Sequence, residues 1–207
     1  MQLEQILQKR QDLWRGNVAP AALPAGEPTG FAALDAALPW HGWPPGALTE
    51  ILSPLTGGAF SLVFPALTSL SREPRWLLLV DPPFLPYAPP LAASGMELRR
   101  LLVTEPGGAS AWTAEQGLRS GACSAVLLWG GCWRGTELRR LQLAAETGGA
   151  RVILFRDLEA AREHSPAALR LQAEPSPEGL TVTVLKQRGA RAGAKVTLNP
   201  RPRVVDP

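Results

Sequence analysis

The strongest constraint on this chain is a rhythm of short apolar runs separated by helical stretches. Trp76–Val80 and Ala125–Trp129 contain no polar residue at all. A strand of that composition is buried on both faces, which happens in parallel sheets covered by helices. Ala47–Leu52, Leu101–Val103 and Arg151–Phe155 read as further strands of the same kind. Between them, Phe31–Leu38, Ser61–Ser71, Leu91–Gly95, Ser110–Ser120 and Thr136–Thr147 read as helices. In the last of these, Leu138, Leu141 and Ala145 share one face. Strand and helix in alternation predict an α/β fold, a mostly parallel sheet flanked by helices. After Phe155 the pattern changes. Ala168–Ala173 and Leu180–Leu185 read as strands joined by the turn Pro175–Gly179, with Val196–Leu198 as a last strand, which predicts a C-terminal antiparallel hairpin.

Turn formers divide these elements. Gly and Pro make up 20 and 21 of the 207 residues, so irregular connections should be frequent. Asp81–Pro90 holds five prolines and is expected to form no regular structure. Pro39–Gly46 reads as a turn carrying Trp40 and Trp43, and Thr29 is the expected N-cap of the helix after it. Pro65 falls within the first turns of its helix. At the N-terminus Leu3, Ile6, Leu7, Leu13 and Trp14 recur at helical spacing and predict an amphipathic helix. The expected organisation is that helix over 1–16, a Pro/Ala-rich linker over 17–28, a core domain over 29–188 and a basic tail over 189–207. The helix is expected to dock on a partner or on another copy of the chain, which makes Leu13 and Trp14 candidate contacts and leaves homo-oligomerisation open.

The net charge is only +3, but it is unevenly placed. Lys186, Arg188, Arg191, Lys195, Arg201 and Arg203 fall in a stretch without a carboxylate. Such a stretch suits an anionic partner or serves as a solubilising tail. Cys123 and Cys132 flank an expected buried strand, and neither has the spacing of a metal site. A reducing cytoplasm is the simplest compartment for them. No segment reaches the roughly 20 apolar residues that span a bilayer. His41 and His164 have no ligand-spaced company and are expected at the surface.

An open α/β sheet binds ligands beyond the carboxyl ends of its strands, at the first strand–loop–helix. Here that loop is Ser53, Pro54, Leu55, Thr56, Gly57, Gly58, Ala59 and Phe60. A working phosphate loop reads G-x-x-x-x-G-K-[ST], in which the lysine reaches the phosphates and the hydroxyl holds Mg²⁺. This chain keeps the second glycine as Gly58. The first glycine is Ser53, the lysine is Ala59 and the hydroxyl is Phe60. Ala59 brings no charge, Phe60 cannot ligate a metal, and Ser61 comes one position late. Backbone N–H groups of Thr56 to Gly58 could still form a weak anion nest. No nucleotide, metal or other cofactor is expected, and a plain tight turn is the simpler alternative for the loop taken alone.

The run from Thr29 to Pro54 resembles the RecA/RadA family. A T-G-x-x-x-L-D-x-x-L helix appears as Thr29, Gly30, Leu34, Asp35 and Leu38. A P-x-G-x-(hydrophobic)-x-E-I strand appears as Pro44, Gly46, Leu48, Glu50 and Ile51. The resemblance implies a RecA-like fold and shows where the ATPase acids should stand. Pro83 takes the place of the catalytic acid after Trp76–Val80, and Trp129 that of the Walker B aspartate. Asp81 is the nearest carboxylate. Three losses together imply a protein that is not an enzyme.

Within that superfamily the chain resembles the ImuA family, over the helix ending in Leu13, Trp14, Arg15 and Gly16, the Pro/Ala linker, residues 28–52, and Leu185 to Arg188. The resemblance implies a cytoplasmic, non-catalytic adaptor in an SOS-induced translesion synthesis complex. Its implied partners are ImuB, RecA and, through ImuB, an error-prone C-family polymerase subunit. A SulA-like inhibitor of cell division is the alternative. In RecA-like filaments a cation pair near Lys186 and Arg188 reaches ATP held by a neighbour, so the resemblance suggests that role here. Trp40 and Trp43, expected to be partly exposed, join Lys186, Arg188, Arg191, Arg201 and Arg203 as candidate partner contacts; covering the end of the sheet is the alternative for the two tryptophans. DNA binding is expected to be weak or indirect, because Arg156–Pro166 offers no long Gly-rich loop. Any binding through the basic tail should fall steeply with salt.

Overall fold

A computed structural model describes residues 23–54 and 58–199. The expected N-terminal helix with Leu13 and Trp14, the loop residues Thr56 and Gly57, and the tail residues Arg201 and Arg203 lie outside the described residues.

Eight strands form one sheet: β1 (Leu48–Leu52), β2 (Trp76–Val80), β3 (Leu101–Thr104), β4 (Cys123–Trp129), β5 (Arg151–Arg156), β6 (Leu169–Ser176), β7 (Gly179–Gln187) and β8 (Lys195–Leu198). Their order is β3-β2-β4-β5-β1-β6-β7-β8. The first six run parallel, and β7 and β8 are antiparallel to their neighbours. The mostly parallel sheet and its C-terminal hairpin are as the apolar rhythm predicted.

The helices are α1 (Ala32–Ala37), α2 (Phe60–Leu70), α3 (Ala88–Ala93), α4 (Ser110–Arg119) and α5 (Gly135–Gly148). Apolar side chains alternate across the strands and build a core on each face. On one face Ile51, Leu79, Leu127 and Ile153 pack with Leu34 of α1 and Leu62, Val63 and Leu67 of α2. On the other, Leu48, Val80, Val126 and Leu154 pack with Leu118 of α4 and Leu138 and Leu141 of α5. The buried Gln142 side chain of α5 accepts a hydrogen bond from the Leu48 N–H (3.0 Å), tying this helix to the first strand.

Several expectations are corrected. The proline-rich stretch does contain regular structure, since α3 starts inside it with prolines at its first positions. The first turn of a helix has no partner for its N–H groups, so proline costs nothing there. Thr29 does not cap α1, whose N-cap is Phe31. Instead the Thr29 hydroxyl accepts from the Phe31 N–H (3.1 Å), and the Asp35 carboxylate accepts from the Thr29 N–H (2.9 Å). Gly30 beside it is required. Its φ is +88°, and a Cβ there would lie 2.4 Å from Cβ of Pro65 in α2.

Trp40 and Trp43 are not exposed: they retain 4% and 1% of their surface and belong to the core of the first face. The reason is a strap from the expected linker. The Gly26 N–H donates to the Trp40 carbonyl (2.7 Å), and Glu27 and Trp43 exchange backbone hydrogen bonds (3.1 and 2.7 Å). Residues 23–28 therefore belong to the domain, with Glu27 paired to Arg151 (3.3 Å). The basic stretch is not one free tail either, because β8 within it completes the sheet.

Candidate functional site

Ser53 after β1 and Gly58–Phe60 at the start of α2 enclose, with the ends of β2, β4 and β5, a cleft of about 420 Å³. Ser53, Gly58, Ala59, Phe60, Pro83 and Trp129 all line it. The structure thus brings Ser53, Gly58, Ala59 and Phe60 to one place with Pro83 and Trp129. Pro54 lies beside them, outside the lining.

Strand register explains what fills this place. Trp129 and Phe155 are direct neighbours on parallel β4 and β5, so both rings leave the sheet on the same face. They stack with centroids 4.9 Å apart and planes 15° from parallel. Phe60, the first residue of α2, closes over them at 6.0 Å from Trp129 and 6.5 Å from Phe155. Phe64, one turn on, meets Phe60 edge-on at 6.1 Å. Aromatic contacts of this kind stabilise by about 0.5–1.5 kcal/mol per pair beyond burial. Sequence reasoning found Phe60 and Trp129 but missed Phe155; the strand register was the missing signal.

The polar groups at the cleft have other engagements. The Ser61 hydroxyl donates back to the Gly58 carbonyl. Gly58 has φ +68° and Ala59 is buried in the right-handed region. Asp81 holds a left-handed φ of +51° at the end of β2. Its N–H donates to the Thr104 carbonyl (2.9 Å), and its carboxylate accepts from the Ser110 hydroxyl. A non-glycine residue in that region persists only where its surroundings hold it. Asp157, which follows β5, is exposed and also lines the cleft.

Behind the cleft lies a buried charge network with no counterpart in the sequence reading. Glu50 is fully buried and faces Arg170 across the β1–β6 register. Arg170 Nε donates to Glu50 (2.6 Å), and its other nitrogens donate to the carbonyls of Glu163 (3.0 Å) and Ala160 (2.6 Å). The Ser165 hydroxyl also donates to Glu50 (2.8 Å). Arg156 pairs with Glu163 (2.6 Å) and stands 3.6 Å from Glu50. The network pins the segment 157–166 against the sheet; of the Arg156 guanidinium, Nη2 bonds Glu163 while the buried Nη1 makes no hydrogen bond.

Lys186 joins the same network. It sits opposite Arg170 on β7, and its ammonium donates to the Ser165 carbonyl (2.7 Å). Burial, with Arg170 and Arg188 nearby, pushes its pKa below the ordinary lysine value, and Glu50 partly offsets this. Arg188 is half-exposed and reaches Glu146 (3.5 Å). Lys186 is thus turned toward Ser165, while Arg188 stays at the surface beside Glu146. Arg191 is exposed. His41 and His164 are exposed, as expected, and among the described residues no group of His, Cys, Asp or Glu is placed to hold a metal ion. No helix among the described residues is long and apolar enough to cross a membrane.

No protein-family model and no curated protein matches the chain. Many solved structures do, two of them as follows. The RadB recombinase aligns over 85% of this chain and 97% of its own, with a TM-score of 0.64 and 16% identity. SulA from Pseudomonas aeruginosa aligns over 54% of this chain and 98% of its own, with 30% identity and a TM-score of 0.46. The likeness to RadB establishes the fold as RecA-like.

Proposed function

We propose that this protein is a non-catalytic RecA-like adaptor in a translesion synthesis assembly of the ImuA kind, binding an ImuB-type partner and RecA, with any polymerase subunit reached through ImuB. The observation that carries the reading is the ring cluster of Phe60, Trp129 and Phe155. Phosphoryl transfer is catalysed by positioning and charge: a lysine, a metal-holding oxygen and an acid around the phosphates. For the lysine and the hydroxyl this chain carries a methyl group and a benzyl ring, and for the two acids of such a site an indole and a pyrrolidine ring. The rings pack on one another, so the cleft floor is apolar where a triphosphate needs donors and cations. The Thr29–Pro54 motif, which the structure uses to join α1, β1 and α2, supports descent from a nucleotide-binding ancestor.

The test has two arms. Calorimetric titration with Mg-ATP should show no binding, and a turnover assay should show no phosphate release; submillimolar ATP binding with hydrolysis would end the reading. Binding measured side by side to purified ImuB, RecA and the tubulin-like division protein should favour the first two. Binding to the division protein alone would instead make the chain a SulA-like inhibitor.

A further inference from the structure

The cleft has a property that the loss of phosphate chemistry does not require. The loop that forms its outer wall exposes large apolar side chains: Phe84 keeps 81% of its surface, Leu85 72% and Tyr87 73%. Phe84 and its neighbour Pro83 line the cleft directly. Exposed aromatics beside a concave apolar floor mark a place where another apolar group docks. The loop is also held in position. Asp81, at its start, is fixed in a left-handed conformation by Thr104 and Ser110, and α3 closes it at the other end.

The charges at the rim narrow the occupant. Asp81 and Asp157 both line the cleft, and among the described residues neither has an ion-pair partner. The one cation in the lining, Arg156, is paired with Glu163 through Nη2, and its buried Nη1 stands 3.6 Å from the Glu50 carboxylate, so two acids already face it. The cleft therefore joins an apolar floor to a net negative rim, which disfavours an anion and suits a cation next to an apolar group. A volume of about 420 Å³ takes one large side chain with a stretch of its backbone.

We propose that this cleft is a peptide-anchor site, taking a large apolar side chain of a protein partner against Phe60, Phe84 and Trp129, with a flanking lysine or arginine between Asp81 and Asp157. This rests on the reading of the cleft as a binding site that has lost its nucleotide chemistry. It adds the chemical class of what binds there.

The test uses the full chain and fluorescein-labelled synthetic peptides carrying a central Leu, Phe or Trp, flanked on either side by Lys, Ala or Glu. Binding is read by fluorescence anisotropy. The lysine-flanked peptides should bind about tenfold more tightly than the glutamate-flanked ones. Phe84→Ser, at an exposed position, should weaken binding about tenfold with an unchanged urea midpoint. Asp157→Lys should reverse the preference for flanking charge, which a merely structural role for Asp157 would not do. If no peptide binds at millimolar concentration, if Phe84→Ser leaves affinity unchanged, or if Asp157→Lys leaves the charge preference unchanged, the anchor site is refuted. The adaptor reading fails separately, by Mg-ATP binding and hydrolysis, so the two failures are distinguishable.

Discussion

Replacing Glu50 with glutamine should destabilise the protein more than any surface change. Glu50 is fully buried and accepts from Arg170 and Ser165, with Arg156 nearby. The substitution keeps the shape and removes the charge. Arg156 would retain Glu163, but Arg170 would keep only neutral acceptors, the carbonyls of Ala160 and Glu163 and the amide oxygen of the new side chain, and would lose its counter-charge. Breaking a buried ion pair from one side costs about 3–5 kcal/mol, because a desolvated charge is left behind. The two remaining carbonyls put Glu50→Gln at the lower end, about 3 kcal/mol. For a domain of this size that lowers Tm by about 6–12 °C. It is also a large share of a total stability of about 5–15 kcal/mol. Urea unfolding followed by circular dichroism should show a lower midpoint with an unchanged slope. The double variant Glu50→Met with Arg170→Met should lose less than the sum of its two single variants, because removing both partners leaves no orphan charge. A Glu50→Gln protein within about 0.5 kcal/mol of the parent, or strict additivity in the double variant, would refute the argument.

Three further outcomes can be checked directly. Gly30→Ala meets both a left-handed φ and Pro65 at 2.4 Å, so it should cost about 1–3 kcal/mol in the same urea assay; a neutral result would mean that α1 and α2 do not approach as described. Cys132 is exposed and Cys123 is buried with its thiol pKa raised chiefly by that burial, so maleimide at neutral pH should label one thiol quickly and the other slowly, and equal rates would contradict the packing of β4. Folded Lys186 gives up its proton below the 10.5 of an ordinary lysine, so in that window the unfolded chain binds more protons and this group's contribution to stability rises with pH. Lys186→Met should abolish that rise in a pH series of urea midpoints, and a difference from the parent that stays constant with pH would count against it.

The strands were legible because burial on both faces leaves a continuous apolar run, as in Trp76–Val80, which is also the observed span of β2. Local signals did less well where long-range contacts decide. Nothing near Trp40 and Trp43 says that Gly26 and Glu27 fold back over them. The prolines around Ala88 suggested irregularity because composition does not show which of them falls in the first turn of a helix. At the site, the register of the Thr29–Pro54 motif pointed to Ser53, Ala59 and Phe60, and counting past the end of β2 and to the end of β4 pointed to Pro83 and Trp129, all of which line the cleft. Phe155 escaped because its relation to Trp129 exists only across strands. The Glu50 network escaped for the same reason, since its arginines lie more than a hundred residues away in the chain.

The two outermost strands, β3 and β8, are each four residues long, and among the described residues nothing pairs with their outer sides. At roughly 3.3 Å per residue each flank offers only about 13 Å of unpaired ladder. Unpaired edges of a long, flat sheet template stacking into fibrils. So brief a margin gives an incoming strand few bonds to form, and Lys195 at the head of one margin adds a charge that two copies would have to bring together. Resistance to edge-to-edge aggregation is therefore built into the ends of the sheet themselves.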